Sequence, residues 1–323
     1  MRLTLPHHRD EAPGFVTTRR HWALVLIKSR SVMGYVLVLT ATAIWSGNFI
    51  VARVLSNSVP PVTLSFLRWA IAVVVLLPFA VRPLSRDIQV IRRHLGYLSL
   101  TAFLVVTVFN TLIYMAAHTS KALNLSLIAV SSPIFIVLFA RVFLKDRFTF
   151  RRILGLVSAT FGVVLLITEG NLSRLMGLTF SEGDAWMILA AGIFGAYSIL
   201  ARVKPVGLSP VAFLCSTSIL GLLFLLPWVI WELRDVQIIN FSPTVIAAII
   251  YLGIGPSLLA FLCWNEAITL IGPVRAAFVY YSLPVFSGAE ALVILGEPVH
   301  VVHIFSGILI LLGVIVATRE TTP

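Results

Sequence analysis

The sequence predicts an all-α integral membrane protein of ten transmembrane helices, built as two five-helix repeats of inverted topology with both termini cytoplasmic. Three observations carry that expectation: a composition too apolar for water, ten apolar runs of spanning length, and landmark residues that recur at nearly constant spacing in the two halves. Of 323 residues, 59% are hydrophobic and 11% charged, which is more apolar side chain than a soluble domain of this size can bury.

A helix crosses a hydrocarbon core with about 20 apolar residues. Runs of that kind fall at 31–53, 60–82, 94–117, 121–143, 151–168, 183–203, 209–231, 242–269, 273–295 and 299–318. Connectors rich in charge, Gly or Pro, such as RPLSRDIQVIRRH and LKDRFTFRR, separate them. Residues 1–30 read as a cytoplasmic N-terminal extension, because the apolar stretch WALVLIK is short for a cleavable signal and no small-residue cleavage site follows it.

The net charge of +11 is a topology signal, since loops rich in Lys and Arg stay cytoplasmic. One side takes 19 basic residues: Arg2, Arg9, Arg19, Arg20, Lys28, Arg30, Arg82, Arg86, Arg92, Arg93, Arg141, Lys145, Arg147, Arg151, Arg152, Arg202, Lys204, Arg275 and Arg319. The other side takes four: Arg53, Lys121, Arg174 and Arg234. Ten crossings fit that split, and nucleic acid is not an expected partner. The expected partners are the lipid bilayer and a small-molecule solute.

The segment AIWSGNFIVAR (43–53) is echoed by GIFGAYSILAR (192–202). Rarer residues keep the same register. Arg53 and Arg202, Pro61 and Pro210, and Pro78 and Pro227 are 149 apart; Tyr114 and Trp264, and Ala117 and Ala267, are 150 apart. Pro133 and Pro284, Asp146 and Glu297, and Gly162 and Gly313 are 151 apart. The repeats are therefore expected at 31–168 and 183–318. Five crossings per unit is odd, so the second unit enters the bilayer inverted, a build of secondary transporters whose solute binds between the repeats.

The same residues carry a family resemblance. WSGNFIVARVL in the first helix, FLRWAIA in the second, and ALNLSLIAVSSPIFIVLFARVFLKDRFTFRRILGLVSATFGVVLLI through the fourth and fifth, with its counterpart AAFVYYSLPVFSGAEALVILGEPVHVVHIFSGILILLGVIVA, resemble the drug/metabolite transporter superfamily and its EamA-type ten-helix carriers. The overall pattern is most similar to the YddG-type amino-acid exporters. The resemblance implies a central cavity bounded by helices one to four and six to nine, with five and ten outside. It departs from the small multidrug relatives, which carry a Glu in the first helix where this chain has no acid. It also implies export across a cell inner membrane.

Polar groups inside a membrane are costly and face a cavity or another helix. The substrate-binding candidates are Asn48, Asn110, Ser131, Tyr197 and Ser282, with the aromatic Trp45, Tyr114, Trp264 and Tyr280. Amides and hydroxyls bond both ends of a zwitterion, and aromatic faces hold an apolar side chain or a cation. The competing reading for each is a helix tie or an interfacial belt residue. Arg68, Glu266 and Glu290 are the candidates for charge pairing or coupling. Arg68 is expected to pair with a carboxylate, of the protein or of the solute, and Glu266 is read as an interface residue beside Arg275 or a helix end. Pro133 and Pro284 read as gating bends or as static kinks.

Enzyme chemistry finds no foothold: no Gly-rich phosphate loop, nucleophile elbow or ATPase signature is present, and no cofactor is expected. Glu297, His300 and His303 in EPVHVVH are the one metal-like cluster, absent from the repeat partner KDRFTFRRILG and read as loop histidines, so no metal is expected. Cys215 and Cys263 lie in apolar runs and read as core residues. A lone Arg is a poor cradle for a nucleotide sugar or phosphate. The expected function is alternating-access export, without ATP, of small metabolites, neutral or aromatic amino acids foremost. Proton-coupled export of organic cations is the alternative.

Overall fold

The computed structural model describes residues 13–55, 58–120, 125, 128–146, 149–168, 170–171, 173–176, 181–234, 239, 241–290 and 301–318. All regular structure among the described residues is helical. The helices of eight residues or more are α1 (Pro13–Leu55), α2 (Pro61–Arg93), α3 (Leu95–Thr119), α4 (Ser132–Phe143), α5 (Phe150–Ile167), α6 (Glu182–Arg202), α7 (Pro210–Glu232), α8 (Pro243–Ile271), α9 (Pro273–Tyr280), α10 (Leu283–Glu290) and α11 (Val301–Thr318). Five of them, α2, α3, α6, α7 and α8, are long and apolar enough to cross a membrane, and α4 and the Ile304–Thr318 part of α11 are shorter apolar helices.

Local chemistry sets the starts. Pro61, Pro210, Pro243 and Pro273 open α2, α7, α8 and α9, where a missing N–H costs nothing. The side chains of Thr149, Ser209 and Ser242 accept the N–H groups of Arg152, Ala212 and Val245 and cap α5, α7 and α8. Gly272, at φ 83°, ends α8 in the left-handed region and turns the chain into α9.

Two helices differ from the apolar runs that announced them. The first run was expected to begin at residue 31, after a separate extension; α1 instead begins at Pro13 and continues for 43 residues, about 65 Å, twice the hydrocarbon thickness of about 30 Å. Likewise α2 continues to Arg93, and its last turns carry Arg82, Arg86, Asp87, Arg92 and Arg93. Charge ends an apolar run without ending a helix, because Arg and Lys are good helix formers in water.

The elements pack as pairs: α2 on α7, α1 on α8, α3 and α4 on α6, and α5 on α11. Antiparallel α2 and α7 are tied at both ends. The Glu232 carboxylate, ending α7, accepts the N–H groups of Val62 (3.0 Å) and Thr63 (2.7 Å) and the Thr63 hydroxyl (2.7 Å), satisfying the first turn of α2. At the opposite end Asp87 of α2 accepts the Ser209 N–H at 2.9 Å, and its other oxygen takes Arg86 Nε at 2.9 Å.

Departures from α geometry occur at matched places. α3 contains a π-helical segment, Phe103–Phe109, and α8 contains another, Gly253–Leu259; both ends are 150 residues apart. Side chains also donate into these segments: Asn110 Nδ2 to the Val105 carbonyl and Ser257 Oγ to that of Leu252, each at 2.8 Å.

The prolines expected to bend two helices instead stand second in new helical segments. Val130 and Ser131 form a turn before α4, as Tyr281 and Ser282 do before α10. Pro133 and Pro284 thus follow an interruption: each lacks the N–H that would bond the carbonyl four residues back, at Ala129 and Tyr280.

Outside, Phe79, Phe143, Phe150, Trp228, Trp231 and Phe305 are exposed, a surface that suits lipid and not water. α5 and α11 meet through small residues: a Cβ on Gly155 would stand 2.5 Å from the Gly313 carbonyl oxygen, and one on Gly313 2.6 Å from Ala159 N. Gly307, in α11, has open space instead. Gly155→Ala should therefore cost about 1–3 kcal/mol of stability, whereas Gly307→Ala should be neutral or stabilising by up to about 1 kcal/mol. Thermal unfolding of the detergent-solubilised variants measures both, and equal midpoints would show that this seam is not close-packed.

Candidate functional site

Six helices converge on a narrow, tightly packed cleft. α1 supplies Trp45 and Asn48, one turn apart on the same face; α2 supplies Arg68; α3 supplies Phe109, Asn110 and Ile113. Phe194 of α6, Phe261 of α8 and Tyr280 of α9 complete the lining.

Aromatic rings form most of the wall. Trp45 meets Phe194, Phe261, Trp264 and Tyr280 with centroids 5.6, 5.3, 5.4 and 6.0 Å away, and Phe109 stacks on Phe194 at 5.2 Å. Edge-to-face and offset pairs of this kind add to area burial. Trp45 Nε1 donates to the Pro256 carbonyl at 3.0 Å, so the α8 π segment also fixes the central ring.

The one charge in the lining is Arg68. Its side chain is buried at 1% exposure, and its partners are all neutral. Nε donates to Ser257 Oγ at 2.5 Å, Nη1 to Asn48 Oδ1 at 3.2 Å and to the Tyr114 hydroxyl, and the guanidinium lies 5.7 Å from the Tyr114 ring centroid. Among the described residues no carboxylate lies within ion-pair distance of it. Of the two partners expected for it, a carboxylate of the protein or one of the solute, the described residues do not supply the first, and amide and hydroxyl oxygens surround it.

Of the other residues singled out from sequence, Trp45, Asn48, Asn110 and Tyr280 line the cavity. Tyr114 stands behind Arg68, and Trp264 packs on Trp45 and Tyr280 from behind, its Nε1 without a partner. Tyr197 is turned away: its hydroxyl donates to Asn265 Oδ1 at 2.5 Å. Ser131 and Ser282 give their hydroxyl hydrogens to the carbonyls of Ile128 (2.6 Å) and Val279 (2.7 Å) at the two interruptions.

Neither acid lines the cavity. Glu290 accepts the Ser46 hydroxyl at 2.6 Å, joining α10 to α1. Glu266 faces Lys204, in the connector after α6; burial pulls that ammonium below its ordinary value and the carboxylate opposes the fall.

Sequence reasoning did not name Phe109, Ile113, Phe194, Phe261 and Ser257. Phe194 lies inside the echoed segment GIFGAYSILAR, and Ser257 follows a Gly-Pro pair within an apolar run, a breaker signal. The three other apolar residues had no signal to separate them from packing.

Among the described residues no group of three His, Cys, Asp or Glu is placed to hold a metal. Glu297 and His300 lie outside the described residues, as does the His303 side chain. Both cysteines are free thiols, Cys215 buried and Cys263 half-buried.

The chain is 26% identical over 288 residues to an uncharacterised transporter of Archaeoglobus fulgidus, covering 88% of this chain and 97% of that one. It is 28% identical over 296 residues to a probable terminal-alkyne amino-acid exporter of Streptantibioticus cattleyicolor, covering 89% and 93%. A 174-residue stretch is 26% identical to a riboflavin transporter of Brucella anthropi, covering 52% and 58%. A solved crystal structure shares the fold, with a TM-score of 0.72 at 20% identity over 90% of this chain and 96% of that one. The model of the EamA-like transporter family matches residues 32–168 and again 181–319. With most of its length matched, this chain belongs to the EamA-like transporter family, a multi-pass membrane protein of a family that moves small molecules.

Proposed function

We propose that the chain is a secondary exporter of small metabolites, neutral or aromatic amino acids foremost, working by alternating access without ATP in the manner of the YddG-type exporters. The observation that carries the proposal is the joint lining of one cavity by a buried guanidinium, two amides and a wall of aromatic rings. A solute with an apolar body and a compact polar head finds both complements there. The amino-acid exporter among the relatives supports the same class.

In this reading ten helices cross a cell inner membrane as two inverted repeats, 31–168 and 183–318, with both termini cytoplasmic. Solute binds among Trp45, Asn48, Arg68, Asn110 and Tyr280 at the repeat interface, and Tyr114 and Trp264 hold that lining in place. Ser131, Tyr197 and Ser282 act through helix geometry. The interruptions before Pro133 and Pro284 are the joints at which each half opens or closes. With no motor, the carrier runs down whatever solute gradient it meets.

A second reading, proton-coupled export of organic cations, draws on Glu290, a carboxylate at the end of an apolar segment that holds a hydroxyl of α1. The two separate cleanly.

Purified protein in liposomes should show saturable flux of labelled phenylalanine and leucine that is indifferent to an imposed pH gradient. No amino-acid flux, with organic cations moved by the pH gradient and that movement lost in Glu290→Gln, would replace the first reading with the second. Pro284→Ala should slow phenylalanine exchange about tenfold or more while its half-saturating concentration changes little, as expected when a conformational step is rate-limiting. Unchanged flux would assign the proline to static packing.

A further inference from the structure

The charge balance of the cavity is one-sided. Arg68 contributes a full positive charge at 1% exposure, and none of the other lining side chains is ionisable to a carboxylate. Its Nε and Nη1 are committed to Ser257, Asn48 and Tyr114, and Nη2 donates to no group among the described residues. Glu290 and Glu266 are off the cavity, the first on Ser46 and the second facing Lys204.

A guanidinium with no ion partner in a low-dielectric site carries a large desolvation cost that neutral oxygens offset only in part. An incoming carboxylate supplies the missing charge, with a charge-assisted bond to the free nitrogen. An incoming ammonium finds the reverse: repulsion from Arg68 and only amide oxygens or aromatic faces in return.

We propose that the solute's carboxylate is the recognised group and its amino group is dispensable, so that the site takes apolar and aromatic monocarboxylates in general. This rests on the amino-acid reading for the location of the site but reaches further. Acids that lack the α-amino group occupy it, and amines that lack the carboxylate do not. Arg68 is the specificity-determining residue.

The test uses matched phenyl compounds as competitors, since their own flux is blurred by passive permeation of neutral forms. Against labelled phenylalanine flux in proteoliposomes, 3-phenylpropionate should inhibit within about threefold of phenylalanine's own half-inhibitory concentration. Phenethylamine and the neutral 3-phenylpropanol should be about tenfold to a hundredfold weaker, the range set by a charge-assisted contact. Amine inhibition equal to or stronger than that of the acid overturns the proposal, and acid and alcohol of equal potency overturn it too, leaving Arg68 a structural tie.

The same series is run as thermal protection of the purified protein, which needs no flux. Protection by the acid but not the amine, in a protein that moves no phenylalanine, would sink the amino-acid reading and keep this one. In Arg68→Gln, provided it unfolds cooperatively, acid and alcohol should become equipotent; a retained acid preference assigns selectivity elsewhere and overturns the role given to Arg68.

Discussion

Hydrocarbon offers no hydrogen bonds, and that constraint bears on the helix irregularities among the described residues. A backbone amide or carbonyl freed inside a bilayer must be satisfied by the protein itself. The helices nonetheless depart from α geometry at four described places, and each carries a polar side chain beside it. Asn110 and Ser257 donate to carbonyls at the two π segments, and Ser131 and Ser282 do so at the two interruptions. The irregular stretches are also where the cavity is built. Phe109 ends one π segment, the other presents its Pro256 carbonyl to Trp45, and Tyr280 directly precedes an interruption.

The scaffold is close to symmetric while the site is not. The π segments and the interruptions recur at spacings of 150 and 151 residues, yet the residue 149 positions beyond Arg68 is Thr217, whose hydroxyl bonds its own helix at Phe213. Thr107, the counterpart of Ser257, likewise reaches a helix carbonyl, that of Gly221, at 3.2 Å. Duplication thus provides two equivalent crossings of α2 and α7 with the π segments of α8 and α3. Only one of them carries charge. A single guanidinium thus makes the two halves of the site chemically unlike.

The fold was legible because its signals are compositional and periodic. Apolar run length located the helices to within a few residues wherever a run was bounded by Gly, Pro or Ser, as at Pro210, Pro243 and Pro273. It failed where only charge marked the end, in α1 and at the Arg93 end of α2, since helix propensity outlasts hydrophobicity. Within the site, rarity guided the reading: Trp45, Asn48, Arg68, Asn110 and Tyr280 stand out in an apolar helix and do line the cavity. Phe109, Phe194 and Phe261 do not stand out, because an apolar ring facing a cavity, a neighbour or lipid has the same composition signature. Ser131 and Ser282 show the converse. Their polarity was a true signal of something that must be satisfied, but what needed it was the backbone beside a proline.

The ties at the two ends of α2 and α7 bear on how such a molecule can alternate. Separating these helices at one end breaks three hydrogen bonds to the Glu232 carboxylate; separating them at the other breaks the Asp87 contact with the Ser209 amide. Bonds to a carboxylate are worth about 1.5–3 kcal/mol each, and losing them would also leave helix-terminal amides unpaired. By contrast, the chain is already interrupted before Pro133 and Pro284, where single-turn bonds such as Ser131 N–H to Ile128 and Ser282 N–H to Val279 replace the regular helical ladder. In the alternating-access reading the paired α2 and α7 are therefore the frame, and the segments on either side of residues 131 and 282 are the parts that move. Arg68 rides on the frame, which keeps the charge at the centre while the access path changes around it.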